Sequence, residues 1–417
     1  MRAARRRSEN RVCGYLPPDS CPLTPDPWGR SFTLALAASL VLAPPLSAQA
    51  RRPTRSAAPP TKVWSALSAG STHTCALDNT GQAYCWGDNA WKRLGITDSV
   101  NQRRPAAVET PQHFFSLASG ADETCALTID GSAVCWGGAQ PGAPPHSAFG
   151  VLRLRALDLN ANGCGVAADS AAWCWGSNSA GQLGSGRATP TRSTGAERVQ
   201  GPRKWRTVTV GGTFACGVAG DGRGWCWGSG NELGATAIHD RSAVPVQVAG
   251  ERTWQVITAG ASHACGIAQG GAAWCWGNSG SGALGNGQNV NQRTPVAVSG
   301  GLTFASLAAG YSYTCGLTPA GKAYCWGWNE NGVLGNGTTR NALVPTAVSG
   351  TTVFAALSGG TGHVCGITSA GAVFCWGDNA DGELGAARSQ TCRTPLAWGR
   401  YEVRQCAMVP TRVVEPS

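Results

Sequence analysis

The sequence is poor in the residues that catalytic centres use. It holds six histidines in 417 residues, and its carboxylates are few and scattered. It has no Gly-x-Ser-x-Gly elbow, no His-Glu-x-x-His pair and no phosphate-binding glycine loop. These absences remove the common hydrolase, metallopeptidase and nucleotide-binding signatures. With no nucleophile and base at workable spacing, the chain is not expected to be an enzyme, and no cofactor is implied. Lysine occurs only at Lys62, Lys92, Lys204 and Lys322. The formal charge is +10, but nine arginines against three acids in residues 1–55 leave only +4 for the rest. Those remaining basic residues are dispersed, whereas nucleic-acid binding needs a concentrated basic footprint, so no nucleic-acid partner is expected. No segment sustains a helical period. The apolar run Phe32–Ala43 is 12 residues long, short of the roughly 20 that a membrane span requires.

Glycine and cysteine are abundant: 58 and 18 residues. The stretch TCALDNTGQAYCWG, Thr74 to Gly87, recurs in seven versions, each with its second cysteine ten positions after the first. The pairs are Cys75 and Cys85, Cys125 and Cys135, Cys164 and Cys174, Cys216 and Cys226, Cys265 and Cys275, Cys315 and Cys325, and Cys365 and Cys375. The Trp-Gly tryptophans, from Trp86 to Trp376, follow one another at steps of 50, 39, 52, 49, 50 and 50 residues. Such a period marks one supersecondary unit repeated and stacked.

Each unit reads as short strands rich in Ala, Val, Phe and Tyr, bounded by Gly and Asn. A turn at Asp78 to Gly81 sets Cys75 opposite Cys85 and Leu77 opposite Ala83. The last turn position calls for a left-handed residue. Glycine supplies it in six copies; the third has Ser170, which predicts strain or a different turn. Opposed residues in the closer type of antiparallel pair are near enough for a disulfide. Zinc sites use tighter clusters, and a redox Cys-x-x-Cys is absent. The pairs therefore read as seven intra-blade disulfides in an oxidising compartment. Each closes an 11-residue loop, worth at most roughly 2.5–3 kcal/mol on the chain-entropy model. Cys392 and Cys406 are expected to form an eighth bridge. Both faces of the hairpin carry apolar residues, so each small sheet must lie between neighbours, as in a propeller.

The pieces AGSTHTCALDNTGQAYCWGDN with RLG, AGASHACGI with AWCWGNSGSGALGNG, and AGYSYTCGL with AYCWGWNENGVLGNG resemble the regulator of chromosome condensation repeat. The resemblance runs from about Val63 to the C-terminus. It implies an all-β, seven-bladed β-propeller with, in this chain, one hairpin disulfide per blade. The second copy departs from the pattern: it lacks Leu-Gly and follows Trp-Gly with GAQPGAPPHSAFG.

Residues 1–50 read as a leader or signal peptide, with the apolar run followed by SAQA at Ser47 to Ala50, an Ala-x-Ala cleavage site. Residues 51–61 read as a linker and 62–417 as the propeller, its tail 399–417 packing on or closing the ring. The proline-marked strand is expected to pair with the strand after it. Blades would then begin with it, and the C-terminus would supply the first blade's missing strand, from Arg393 to Trp398 or from Pro410 to Val414.

Two loop sets vary between copies on a constant scaffold. One precedes each first cysteine and contains His73, Glu123, Asn162, Phe214, His263, Tyr311, Tyr313 and His363; the other follows Trp-Gly and contains Trp91 and Trp328. Such variation suits a recognition surface, and the resemblance implies that the Gly-x-x-His step lines the interaction face. Two alternatives stand beside this. The histidines brace loops by hydrogen bonding, and the aromatic residues pack over blade ends. The expectation is an exported, monomeric module, secreted, periplasmic or on the cell surface, that binds a protein partner through end-face loops. The resemblance extends to a secreted propeller that inhibits β-lactamases, hence to inhibition of an extracellular enzyme. Guanine nucleotide exchange, the nuclear relative's role, conflicts with export. A carbohydrate-binding, lectin-like propeller is the alternative.

Overall fold

The computed structural model describes residues 62–138, 145–189, 192–193, 195–236, 240–386, 390–395 and 401–416. The leader and linker expected over residues 1–61, with Cys13 and Cys21, lie outside the described residues. The described chain forms seven antiparallel sheets whose first strands pack side by side in a closed circle. No described helix is long and apolar enough to cross a membrane.

In the first blade the strands are Trp64–Ala69, His73–Asp78, Ala83–Gly87 and Gln102–Ala107, paired in chain order from axis to rim. The central hairpin has the expected register, Cys75 opposite Cys85 and Leu77 opposite Ala83. Every blade repeats it, and all seven cysteine pairs are bonded, with Cα atoms 4.0–4.1 Å apart. That separation belongs to the close, non-hydrogen-bonded type of pair. Ser170 keeps the turn of the other copies and is left-handed, with φ 66°.

The proline strand corrects the expected blade order. It pairs with the third strand before it, Tyr84 opposite Ala107 and Cys85 opposite Ala106, and forms the rim of its own blade. Proline cannot donate to a ladder, so a rim strand tolerates it where an inner strand would not. The first blade therefore lacks nothing. At the other end, Tyr401–Arg412 pairs with Val373–Asp378 of the seventh blade, and Gln390–Pro395 adds a fifth strand outside it. Cys392 and Cys406 are bonded across these two strands. Among the described residues, no strand is shared between the chain ends. The ring closes by side-chain and turn contacts instead: Trp64 and Trp86 share one apolar cluster with Trp376 and Leu384.

The seams between blades carry the core. Each Trp-Gly indole is buried, and five donate their N–H to a loop carbonyl of the preceding blade, such as Trp376 to Val333 at 2.8 Å. Across the closure, Trp86 donates to Glu383 at 2.8 Å. The glycine of Leu-Gly lies beneath that ring. A Cβ on Gly385 would stand 2.8 Å from the Trp86 indole nitrogen, and φ there is 57°, so the position requires glycine.

Candidate functional site

The residues just before each first cysteine start the second strand, and the fold turns most of them inward. His73, His263, His363, Phe214, Tyr313 and Asn162 are at most 3% exposed. Each histidine reaches across a seam to a threonine hydroxyl of the next blade. The contacts are His73 to Thr124, His263 to Thr314, and His363 to Thr74, each 2.8 Å. Burial pushes the His73 pKa down to about 3, and those of His263 and His363 to about 4. All three are neutral at physiological pH. The Tyr313 hydroxyl lies 2.9 and 2.7 Å from the carbonyls of Gly360 and His363, which share its one proton. The Asn162 amide is committed to the backbone of Ser177. Six of the expected recognition residues are thus bracing groups inside the wall. Their variation tracks the facing blade, because a histidine needs a hydroxyl partner.

The remaining ones are accessible. Tyr311 is 58% exposed and lies at the mouth of the central channel. Trp328 is half-buried against the seam of the last two blades. Trp91 is 52% exposed.

Trp91 and Glu123 come together where the second blade departs from the seam plan. The second blade has no Leu-Gly loop, and its rim strand shrinks to His146–Ser147. The ring of Phe149 covers Trp175 instead, centroids 4.4 Å apart. Trp175 lies against Gly163, where a Cβ would approach its indole to 2.2 Å. The result is a cleft of about 570 Å³ lined by Trp91, Asp122, Glu123, Asn160, Asn162 and Arg192. A second hollow of about 380 Å³ adjoins it, sharing Glu123 and Arg192.

The lip of this cleft is held under strain. Trp91 and Lys92 are both left-handed, φ 62° and 57°. The residue equivalent to Lys92 is glycine in four other loops: Gly181, Gly282, Gly332 and Gly382. A left-handed residue with a Cβ costs roughly 1–2 kcal/mol, and such strain gathers at functional sites. Arg93 anchors the turn from below. Its buried guanidinium donates to Thr72 Oγ1 at 2.7 Å and to Asp122 Oδ1 at 3.1 Å, and pairs with Asp88 at 3.2 Å. The Glu123 carboxylate is half-buried and makes no hydrogen bond or salt bridge among the described residues. Burial raises its pKa, while the charges of Arg192 and His146 act the other way.

Sequence reasoning missed two acids, Glu383, which is buried, and Asp158, which is half-buried. Glu383 is 2% exposed, its pKa pushed up to about 8 by burial, and it accepts the Asp381 N–H at 3.0 Å. Gln182 does the same for Ala180 in the third blade, a parallel visible once the loops are aligned. Asp158 faces the channel and accepts from Thr209 and Val210 of the next blade, both at 2.9 Å. Among the described residues, the His, Cys and carboxylate groups close enough to share a metal are Glu123, Cys125 and Cys135. Those two sulfurs are bonded to each other, so they are not thiolate ligands.

Seven sheets around a channel, with variable loops on a repeated scaffold, define a closed seven-bladed propeller. Parts of the chain match the regulator of chromosome condensation (RCC1) repeat. One model of that description matches residues 80–127, 270–317 and 320–367, and a second matches 64–90, 304–333 and 354–383. Among solved structures, Prp20p from Saccharomyces cerevisiae, described with its binding to Gsp1p and histones, is 17% identical. That match covers 85% of this chain and 88% of Prp20p, with TM-score 0.67. Yeast RCC1 bound to Kap60 is 16% identical over 89% and 91% of the two chains, TM-score 0.67. Human WBSCR16 is 16% identical over 72% and 85%, TM-score 0.66. At these identities the likeness is one of fold. No curated protein sequence matches the chain.

Proposed function

We propose that this protein is an exported, disulfide-stapled propeller that binds a protein partner on its loop face, at the opened seam between the second and third blades. One observation carries the reading: a strained, half-exposed tryptophan stands over a cleft at the one seam whose covering loop is missing. Exposed tryptophan beside a pocket is a frequent anchor of protein interfaces. Eight disulfides favour an oxidising environment, and the apolar leader with its cleavage site supports export. The yeast neighbours with the same fold are described with protein partners. Inhibition of an extracellular enzyme is one form such binding takes. A saccharide reading draws on the same tryptophan but loses support from Asn162, whose amide is already committed.

The test is a photo-crosslinking residue at position 91, with position 290 of the fifth blade's loop as control, in protein exposed to the medium and surface of the producing cells. A protease-sensitive adduct at 91 and not at 290 is expected. No adduct at 91, or a protease-resistant glycan adduct, overturns the proposal.

A further inference from the structure

We propose that the cleft between the second and third blades receives an arginine or lysine side chain of the partner, its charge at Glu123 and its stem against Trp91. This rests on the reading of that seam as a protein-docking site.

Three departures meet in this one seam. Elsewhere the residue that starts the second strand is a histidine bonded to a threonine, or a tyrosine, phenylalanine or asparagine satisfied within the protein or apolar. Here it is Glu123, and the facing position of the third blade is Gly163, which offers no side chain. The missing Leu-Gly loop then leaves the carboxylate facing a cleft. A half-buried carboxylate that receives no hydrogen bond or salt bridge from the described residues is costly in the free protein, and a cation brought to it removes that cost.

The local charge agrees. Among the described charged groups, Asp88, Asp122 and Glu123 stand against Arg93 and Arg192, three acids to two bases, with the His146 imidazole also near Glu123. Arg93 engages both aspartates and is buried, so it has nothing left for Glu123. Arg192 is exposed, and water satisfies it without cost. The unmet demand in the cleft is for positive charge. Trp91 supplies the second half of the contact, since a cation over an indole face is favourable. This chain already builds such pairs: Arg203 over Trp225 and Arg252 over Trp274, both at 3.7 Å.

The experiment uses protein labelled with 5-fluorotryptophan and followed by fluorine NMR, the Trp91 signal being assigned with Trp91→Phe. The probes are N-acetyl-arginine methylamide, its uncharged norleucine analogue and a neutral trisaccharide. A saturable shift of the Trp91 signal is expected with the arginine probe alone. It should weaken roughly tenfold in Glu123→Gln and strengthen in Arg192→Ala, whose side chain is exposed and whose fold is not at risk. Equal response to norleucine, a response to the trisaccharide alone, no response, or unchanged affinity in both variants overturns the proposal. If the arginine probe fails while residue 91 still cross-links to a protein, the docking reading stands and this inference falls.

Discussion

The histidine belt makes stability depend on acid in a calculable way. His263 is neutral and buried, with a folded pKa of about 4 against about 6.5 in the unfolded chain. Its folded value is depressed and the group is a base. The unfolded state therefore binds a proton first as pH falls, and stability drops between about pH 6.5 and about pH 4. From about pH 7.5 to about pH 5 the loss is about 2 kcal/mol for this one residue. Glu383 titrates the other way. Its raised folded pKa of about 8 favours folding at low pH, a contribution lost as pH rises. A bare pH profile mixes the two, so the difference between variants is the informative quantity. The fourth and fifth blades already contain the replacement: Phe214 packs in one core cluster with Ala264. Placing that pair at the next seam with His263→Phe and Thr314→Ala removes the titrating group and its partner together. The Ala283 carbonyl that loses Thr314 still receives Trp326 at 3.0 Å. Urea unfolding with the disulfides intact is the assay. Relative to wild type, the double variant should gain about 2 kcal/mol on going from about pH 7.5 to about pH 5. A difference between the two proteins that is the same at both pH values refutes the argument.

Other expectations follow from the same geometry. Ser170→Gly relieves a left-handed residue at a position where six blades have glycine; it should stabilise by about 1 kcal/mol after the entropy cost of glycine, read as a higher urea midpoint. Replacing Cys75 and Cys85 together with alanine removes an 11-residue closure and should cost roughly 3 kcal/mol, again by urea unfolding. Thiol titration of the native protein should find no reactive cysteine in the seven hairpins, since those sulfurs are bonded and fully buried. Deleting residues 390–417 strips the seventh blade of its two outer strands; the exposed edge should lower the thermal midpoint and promote self-association, measured by light scattering.

The hairpins were legible because their evidence is local. A cysteine spacing of ten, a glycine at the turn and strand alternation define the register of Cys75 against Cys85 without reference to any other blade. Even the exception at Ser170 was visible. Blade boundaries were not, because the rim strand Gln102–Ala107 lies closer in sequence to the next blade than to the hairpin it joins. A Gly-Gly link such as Gly300-Gly301 reads as a hairpin turn whether it closes a sheet or crosses to another. The pre-cysteine residues misled for a related reason. Variation looks the same whether a position meets solvent or a neighbour one repeat on. The correct signal was present as an offset pattern: His73, His263 and His363 each face a threonine that is second in the next blade's strand. The site itself was half legible. The absent Leu-Gly of the second copy and the odd Trp91 could be read, but their meeting with Glu123 and Gly163 needed the ring.

The first and last described segments touch: the Lys62 backbone N–H donates to the Glu415 carboxylate at 3.1 Å. Since every blade is one uninterrupted segment, the order in which the ribosome makes them is nearly arbitrary. A short peptide joining these ends, with new termini opened in any crossing between neighbours, should yield a permuted molecule of the same shape. For the same reason, genetic loss or gain of one fifty-residue unit leaves all the others whole, and only the circumference has to adjust.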